Sequence, residues 1–174
     1  MSSRHYTTGA FSSHAHRLDD DTYAAVLNNI VVACVDCVLT NNGQILLGQR
    51  SREPQPDWWV IGGRMLPGEN FETAAARHCR RELALEIPPE RFTFLAVASQ
   101  VFGRRAQPPQ ENGCHTVAVT MAAKLTDAER ARLSPNDEYR ATAWRNIAEV
   151  AADQQLHQAV RDLAADLHRR RAAL

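Results

Sequence analysis

The chain has 174 residues, 44% of them hydrophobic, with 20 Lys plus Arg against 20 Asp plus Glu. That length supports one domain with a real core and not two ordinary ones. A formal net charge of zero excludes a generic polyanion binder, whose affinity comes from excess positive charge releasing counterions, and no run approaches the roughly 18 consecutive apolar residues of a membrane span.

Residues 1–17 are rich in Ser, His and Thr without periodicity and read as a flexible N-terminal arm ahead of a domain over 18–174. The start lacks the apolar core of a secretory signal, so a cytoplasmic protein is expected. Asp19, Asp20 and Asp21 form an acidic first turn, and Tyr23, Val26 and Leu27 follow at helical spacing, which predicts a short helix. Ile30 to Leu39 reads as a buried strand, Asn41-Asn42-Gly43 as a hairpin turn and Gln44 to Gln49 as the partner strand. The polar, proline-bearing run from Arg50 to Pro56 is a loop, and Trp58 to Ile61 a short strand running into Gly62-Gly63. Asn70 is placed to cap a helix from Phe71 to Glu86, stopped by Pro88-Pro89.

Phe92 to Phe102 and Thr116 to Leu125 are further strands, separated by a long loop of binding-site composition, GRRAQPPQENG. Ala141 to Trp144 follows a turn at Pro135 to Tyr139. Leu156, Val160, Leu163 and Leu167 predict an amphipathic closing helix over 154–171, with Arg169, Arg170 and Arg171 complementing its C-terminal dipole. Helices interleaved with short strands predict an α/β (α+β) fold, a mixed sheet sandwiched between helices.

Of the four cysteines, Cys34 and Cys37 invite a zinc or disulfide reading. Their odd spacing on a strand sends them to opposite faces, so buried, inert thiols are expected for them and for Cys79 and Cys114.

Chemistry concentrates in Gly62-Gly63-Arg64-Met65-Leu66-Pro67-Gly68-Glu69 and the helix after it, which carries Arg77 and Glu82. This stretch resembles the Nudix box, G-x5-E-x7-R-E-U-x-E-E-x-G-U with U aliphatic. Gly63, Glu69, Arg77 and Glu82 match, and Leu85 fits the last position. Three positions depart: His78 and Arg81 stand where carboxylates are expected, and Ala84 where Gly is expected. Pyrophosphate chemistry needs hard cations held by clustered carboxylate oxygens, so losing two carboxylates means fewer or weaker ions.

From about Leu18 to Trp144 the chain resembles the GDP-mannose mannosyl hydrolase branch of that family, through Leu46-Leu47-Gly48-Gln49-Arg50, Trp58-Trp59 and Gly62-Gly63-Arg64. The resemblance implies the Nudix fold, a homodimer, and one Mg²⁺, or Mn²⁺, on the Gly62 carbonyl and Glu82, with Glu69 and Glu138 as further ligands. It implies that Arg50, Arg64 and Arg77 hold the diphosphate and favour its departure. Water then attacks C1 of the sugar in GDP-mannose or GDP-glucose. Asp36 matches a strand aspartate used near the substrate, although an earlier gap aligns Val35 instead. The branch's catalytic His has no counterpart: counting back from Trp144 puts Glu138 at a ligand position and Tyr139 at the base position. Glu138 or Asp137, or His115 on the strand after the long loop, are the candidate bases. A Tyr that assists the leaving group aligns with Thr116. Of Trp58 and Trp59, one is core and the other, taken as Trp59, stacks on base or sugar. His78, four residues before Glu82, reads as its ion-pair partner, and Arg80 and Arg81 as a solvated face.

Two other functions fit the same residues: a pyrophosphohydrolase that cleaves the phosphoanhydride bond of a nucleoside diphosphate derivative, and a non-catalytic ligand-binding domain. No nucleic-acid or membrane partner is expected.

Overall fold

The computed structural model describes residues 4–15 and 17–172. His16 lies outside the described residues. Helix α1 (Asp20–Asn29) starts where the side chain of Asp19 accepts from the Thr22 N–H at 2.8 Å. It ends at Ile30, so strand β1 (Val32–Asn41) begins two residues later than the apolar run suggested. Asn42, at φ 45°, and Gly43, at φ 82°, make the turn into β2 (Gln44–Arg50).

The hairpin does not stay paired. β1 and β2 bond only at Thr40↔Ile45 and Asn41↔Gln44 and then diverge. The expected strand at Trp58–Ile61 breaks at Val60 for that reason: β3 (Trp58–Trp59) bonds to β2, and β4 (Ile61–Arg64) bonds to β1. On its other side β1 runs parallel to β6 (Cys114–Lys124), which is antiparallel to the edge strand β5 (Thr93–Phe102). β7 (Tyr139–Asn146) closes the far edge against β2. The sheet is therefore mixed, as expected.

Helix α2 (Phe71–Leu83) covers one face. Its Ala74, Ala75, Cys79 and Leu83 pack on Val35, Cys37, Leu39, Leu46 and Met121. Asn70 and Thr73 cap it reciprocally, side chain to backbone, at 2.7 and 3.1 Å. The helix stops three residues short of the expected Glu86 because Ala84 turns left-handed, φ 51° and ψ 32°, which lets Leu85 and Ile87 fold back into the core. The other face carries Val38, Ile45, Leu47 and Trp59 under α4 (Ile147–Ala152) and α5 (Gln158–Ala172). The closing helix thus begins four residues later than predicted, after a separate short helix. A further short helix, α3 (Asp127–Arg132), is capped by Thr126 and Glu129. Cys34 and Cys37 do face opposite ways, and all four cysteines are free. Among the described residues no helix is long and apolar enough to cross a membrane.

An L-residue held left-handed at a helix C-terminus is strained by its Cβ, and Ala84 is exposed, so nothing else opposes a glycine there. Ala84→Gly is expected to stabilise the protein by roughly 0.5–1 kcal/mol, read as a higher urea midpoint at unchanged m-value.

Candidate active site

The parting of β1 and β2 leaves a cavity of about 240 Å³ beside β4, walled by β1, β6, α1 and the loop after β5. Gly62 sits where β4 lies against β1. A Cβ there would come within 2.3 Å of the Val35 carbonyl oxygen, and its φ of 146° is one that side-chain-bearing residues rarely adopt.

Arg50 and Arg64 both line the cavity. The Arg64 guanidinium lies 4.9 Å from the centroid of the Tyr23 ring of α1. Its backbone carbonyl accepts from Arg77 Nη2 at 3.0 Å and faces His78 Nε2 at 3.2 Å, so box side chains position a residue whose own side chain serves the cavity. Asp36 is 6% exposed, and its Oδ2 has no hydrogen-bond partner. Burial pushes its carboxyl up to about 7, against the opposing pull of Arg50 and of the hydrogen bond from Trp59. Val35, the alternative aligned residue, points into the core on the other face of β1. Trp59 forms part of the cavity wall, but it is 4% exposed and packed against Phe102 and His157 at 6.1 and 5.1 Å between centroids. It offers the cavity an edge and not a stacking face. Cys34, also in the wall, is pushed up to about 12, first by burial and then by Asp36, so it stays a thiol.

The box carboxylates are engaged elsewhere. Glu69 grips Arg77 Nε and Nη2 at 2.5 and 2.8 Å and accepts the Leu66 N–H at 2.7 Å, stapling the loop after β4 to α2. Arg77 is thereby drawn away from the cavity that Arg50 and Arg64 line. Glu82 is fully buried. Its Oε1 meets His78 Nδ1 at 2.7 Å and Arg81 Nη2 at 2.5 Å, while Oε2 accepts from Tyr139 Oη at 2.5 Å and from the Gly62 N–H at 3.4 Å. Burial alone would raise its pKa, but these donors, His78 foremost, hold it below the ordinary carboxylate range. Burial and the adjacent Glu82 charge keep the Tyr139 phenol protonated, so the residue at the aligned base position is a donor. Its ring fits because position 48 is glycine, where a Cβ would lie 2.4 Å from it.

A carboxylate offers about four lone-pair sites, and Glu82 has four donors on them. Arg81, a side chain already carrying a positive charge, is one of those four donors. Among the described residues no group of three or more His, Cys, Asp or Glu side chains is arranged to hold a metal ion. The residues present therefore do not fit the expected set of Gly62, Glu69, Glu82 and Glu138 around a divalent cation.

None of the candidate bases Glu138, Asp137 and His115 lines the cavity either. Glu138 is partly exposed and pairs with Arg81 at 3.5 Å. His115 alternates with Cys114 and Thr116, which line the cavity, and so lies on the opposite face of β6, 2.8 Å from Ser99 Oγ. The structure adds Arg105, which sequence reasoning passed over. It is 1% exposed and donates to Asn28 Oδ1 and to the carbonyls of Gln107, Pro108 and Gly113, tying the long loop to α1 across the cavity.

Two outcomes follow from this geometry. A carboxyl whose pKa is raised on folding favours the folded state below its unfolded value near 4, and this contribution is lost as pH rises through about 7. Asp36→Asn is expected to flatten that dependence, so that the gain in melting temperature over wild type is larger at pH 8 than at pH 5. Arg105→Ala removes a buried donor from four acceptors and is expected to cost about 2 kcal/mol or more in urea unfolding, with faster amide exchange confined to residues 104–113.

Comparison with known proteins agrees with this architecture. The profile of the NUDIX domain matches residues 31–167. A MutT NUDIX hydrolase from Burkholderia pseudomallei superposes with a TM-score of 0.62 at 25% identity, covering 79% of this chain and 98% of that one. The NUDIX domain of Shewanella oneidensis NrtR, solved with ADP ribose, gives 0.60 at 18% identity over 88% of this chain and 99% of that one. The low-salt glycan biosynthesis protein Agl8 of Haloferax volcanii is 33% identical over 75 residues, 42% of this chain, and the match spans about half, 48%, of that protein. Nudix hydrolases act on nucleoside diphosphate derivatives and generally use divalent cations. With most of its length matched by the family profile and Gly63, Glu69, Arg77 and Glu82 of the box in place around α2, the chain belongs to the Nudix hydrolase superfamily.

Proposed function

We propose that this protein hydrolyses a nucleoside diphosphate sugar to the nucleoside diphosphate and the free sugar, with GDP-mannose and GDP-glucose as first candidates. The observation that carries the reading is the pairing, in one cavity, of two guanidinium-bearing side chains, Arg50 and Arg64, with a buried carboxylate oxygen that has no partner, Asp36 Oδ2. The name of the Agl8 relative, a glycan biosynthesis protein, supports a sugar-bearing substrate. At about 240 Å³ the cavity takes one end of such a molecule, since whole-ligand pockets run from about 300 Å³ upward.

In this reading water attacks C1 and the bond from C1 to the β-phosphate oxygen breaks. The water proton passes to Asp36, and the electron pair leaves with the diphosphate. Arg50 and Arg64 neutralise the charge that develops on the leaving group, which is where preorganised donors lower a barrier most. Asp36, facing the water, supplies general-base assistance.

Hydrolysis in ¹⁸O-water over a panel of GDP-, UDP- and ADP-sugars, followed by phosphorus NMR, tests the reading. Label in the sugar and none in phosphate is expected. Label in phosphate makes the protein a phosphoanhydride hydrolase, and binding without turnover makes it a ligand-binding domain. Asp36→Asn is expected to lose about 10²- to 10⁴-fold in rate and Arg50→Ala about 10²-fold. A loss as large in Glu138→Gln or His115→Ala moves the base to that residue.

A further inference from the structure

We infer that in this chain His78, Arg81 and Tyr139 take the place of the family's divalent ion on Glu82, so that the box is closed to a resident metal and serves to position Gly62 and Arg64. Three observations meet here. The two positions where carboxylates are lost are filled by His78 and Arg81, and both turn back onto Glu82. His78 bridges Glu82 and β4, its Nδ1 2.7 Å from Glu82 Oε1 and its Nε2 3.2 Å from the Arg64 carbonyl. Tyr139, from the far edge of the sheet, fills Oε2 together with the Gly62 N–H.

The Glu82 oxygens are therefore occupied without an ion. A carboxylate that takes a metal gives up a lone pair to it, and here each lone pair would have to be taken from a buried or charge-assisted donor, leaving that donor unpaired. What a metal supplies elsewhere, a positive charge beside the glycine pair, the Arg81 guanidinium supplies here. The network also reaches the cavity: the same donors and acceptors hold the Gly62 N–H and the Arg64 carbonyl, the two backbone groups that set where Arg64 leaves β4.

The inference holds whatever the substrate is, and its test uses no turnover. Mn²⁺ alone is titrated into the full chain at neutral pH and followed by electron paramagnetic resonance. Wild type is expected to show no Glu82-dependent site below millimolar Mn²⁺, and the double variant His78→Glu, Arg81→Glu to bind at least tenfold more tightly. Arg81→Ala, which is on a half-exposed position and leaves the buried pair intact, gives the same direction should the double variant not fold. Glu82→Gln is expected to lower the melting temperature of metal-free protein by at least about 5 °C, since it breaks a buried ion pair. Submillimolar Mn²⁺ binding by wild type that disappears in Glu82→Gln, with metal-free stability unchanged, overturns the inference.

Discussion

Glu82 is the point at which three elements meet. It rises from α2, its two oxygens gather a histidine and an arginine from the same helix, a phenol from β7 and a backbone N–H from β4, and β4 and β7 are not paired with each other in the sheet. A charge so deeply buried is tolerated only when its lone pairs are filled. The demand runs outward from there. Tyr139 can lie where it does only because Gly48 on β2 has no side chain, and β4 can press on β1 only because Gly62 has none.

The cavity and the box are two consequences of one topological event. Because β2 leaves β1 after two paired residues, β3 and β4 fill the wedge, each bonded to a different partner. The free edge of β4 then faces Glu82, while Gly62 and the Arg64 side chain line the cavity. A continuous β1–β2 hairpin would have had neither the opening nor the exposed Gly62 N–H. Asp36 is the cost of the arrangement: an unpaired carboxyl oxygen is kept in a buried wall of the cavity.

Much of this was legible in the chain itself, and the boundary of legibility has physical causes. Asn70 and the apolar spacing behind it located α2, since capping and periodicity are local. The His78–Glu82 contact followed from a four-residue spacing on a helix. The Thr126 to Glu129 capping box was equally local and announced α3, yet it was passed over between stronger strands. Ala84 ended the helix early where a good helix former was written, because the apolar Leu85 and Ile87 gain more by turning into the core than by extending α2. Arg81 read as a solvated residue because solvated faces are the usual home of charge runs. Its inward turn depends on Glu82 being buried, which spacing does not state.

The family box, the order of the elements and the opposite facing of Cys34 and Cys37 were determined by the sequence alone, through residues a few positions apart whose geometry the backbone dictates. Only the tertiary structure decided that Asp36 and not Val35 faces the cavity, that His115 lies on the wrong side of β6, that Arg77 serves Glu69, and that Arg105 is buried under its loop. Each of those depends on which strands pair, where β1 and β2 part and which face the helices cover. Such choices are made by burial across the whole sheet, and no short stretch of chain carries them.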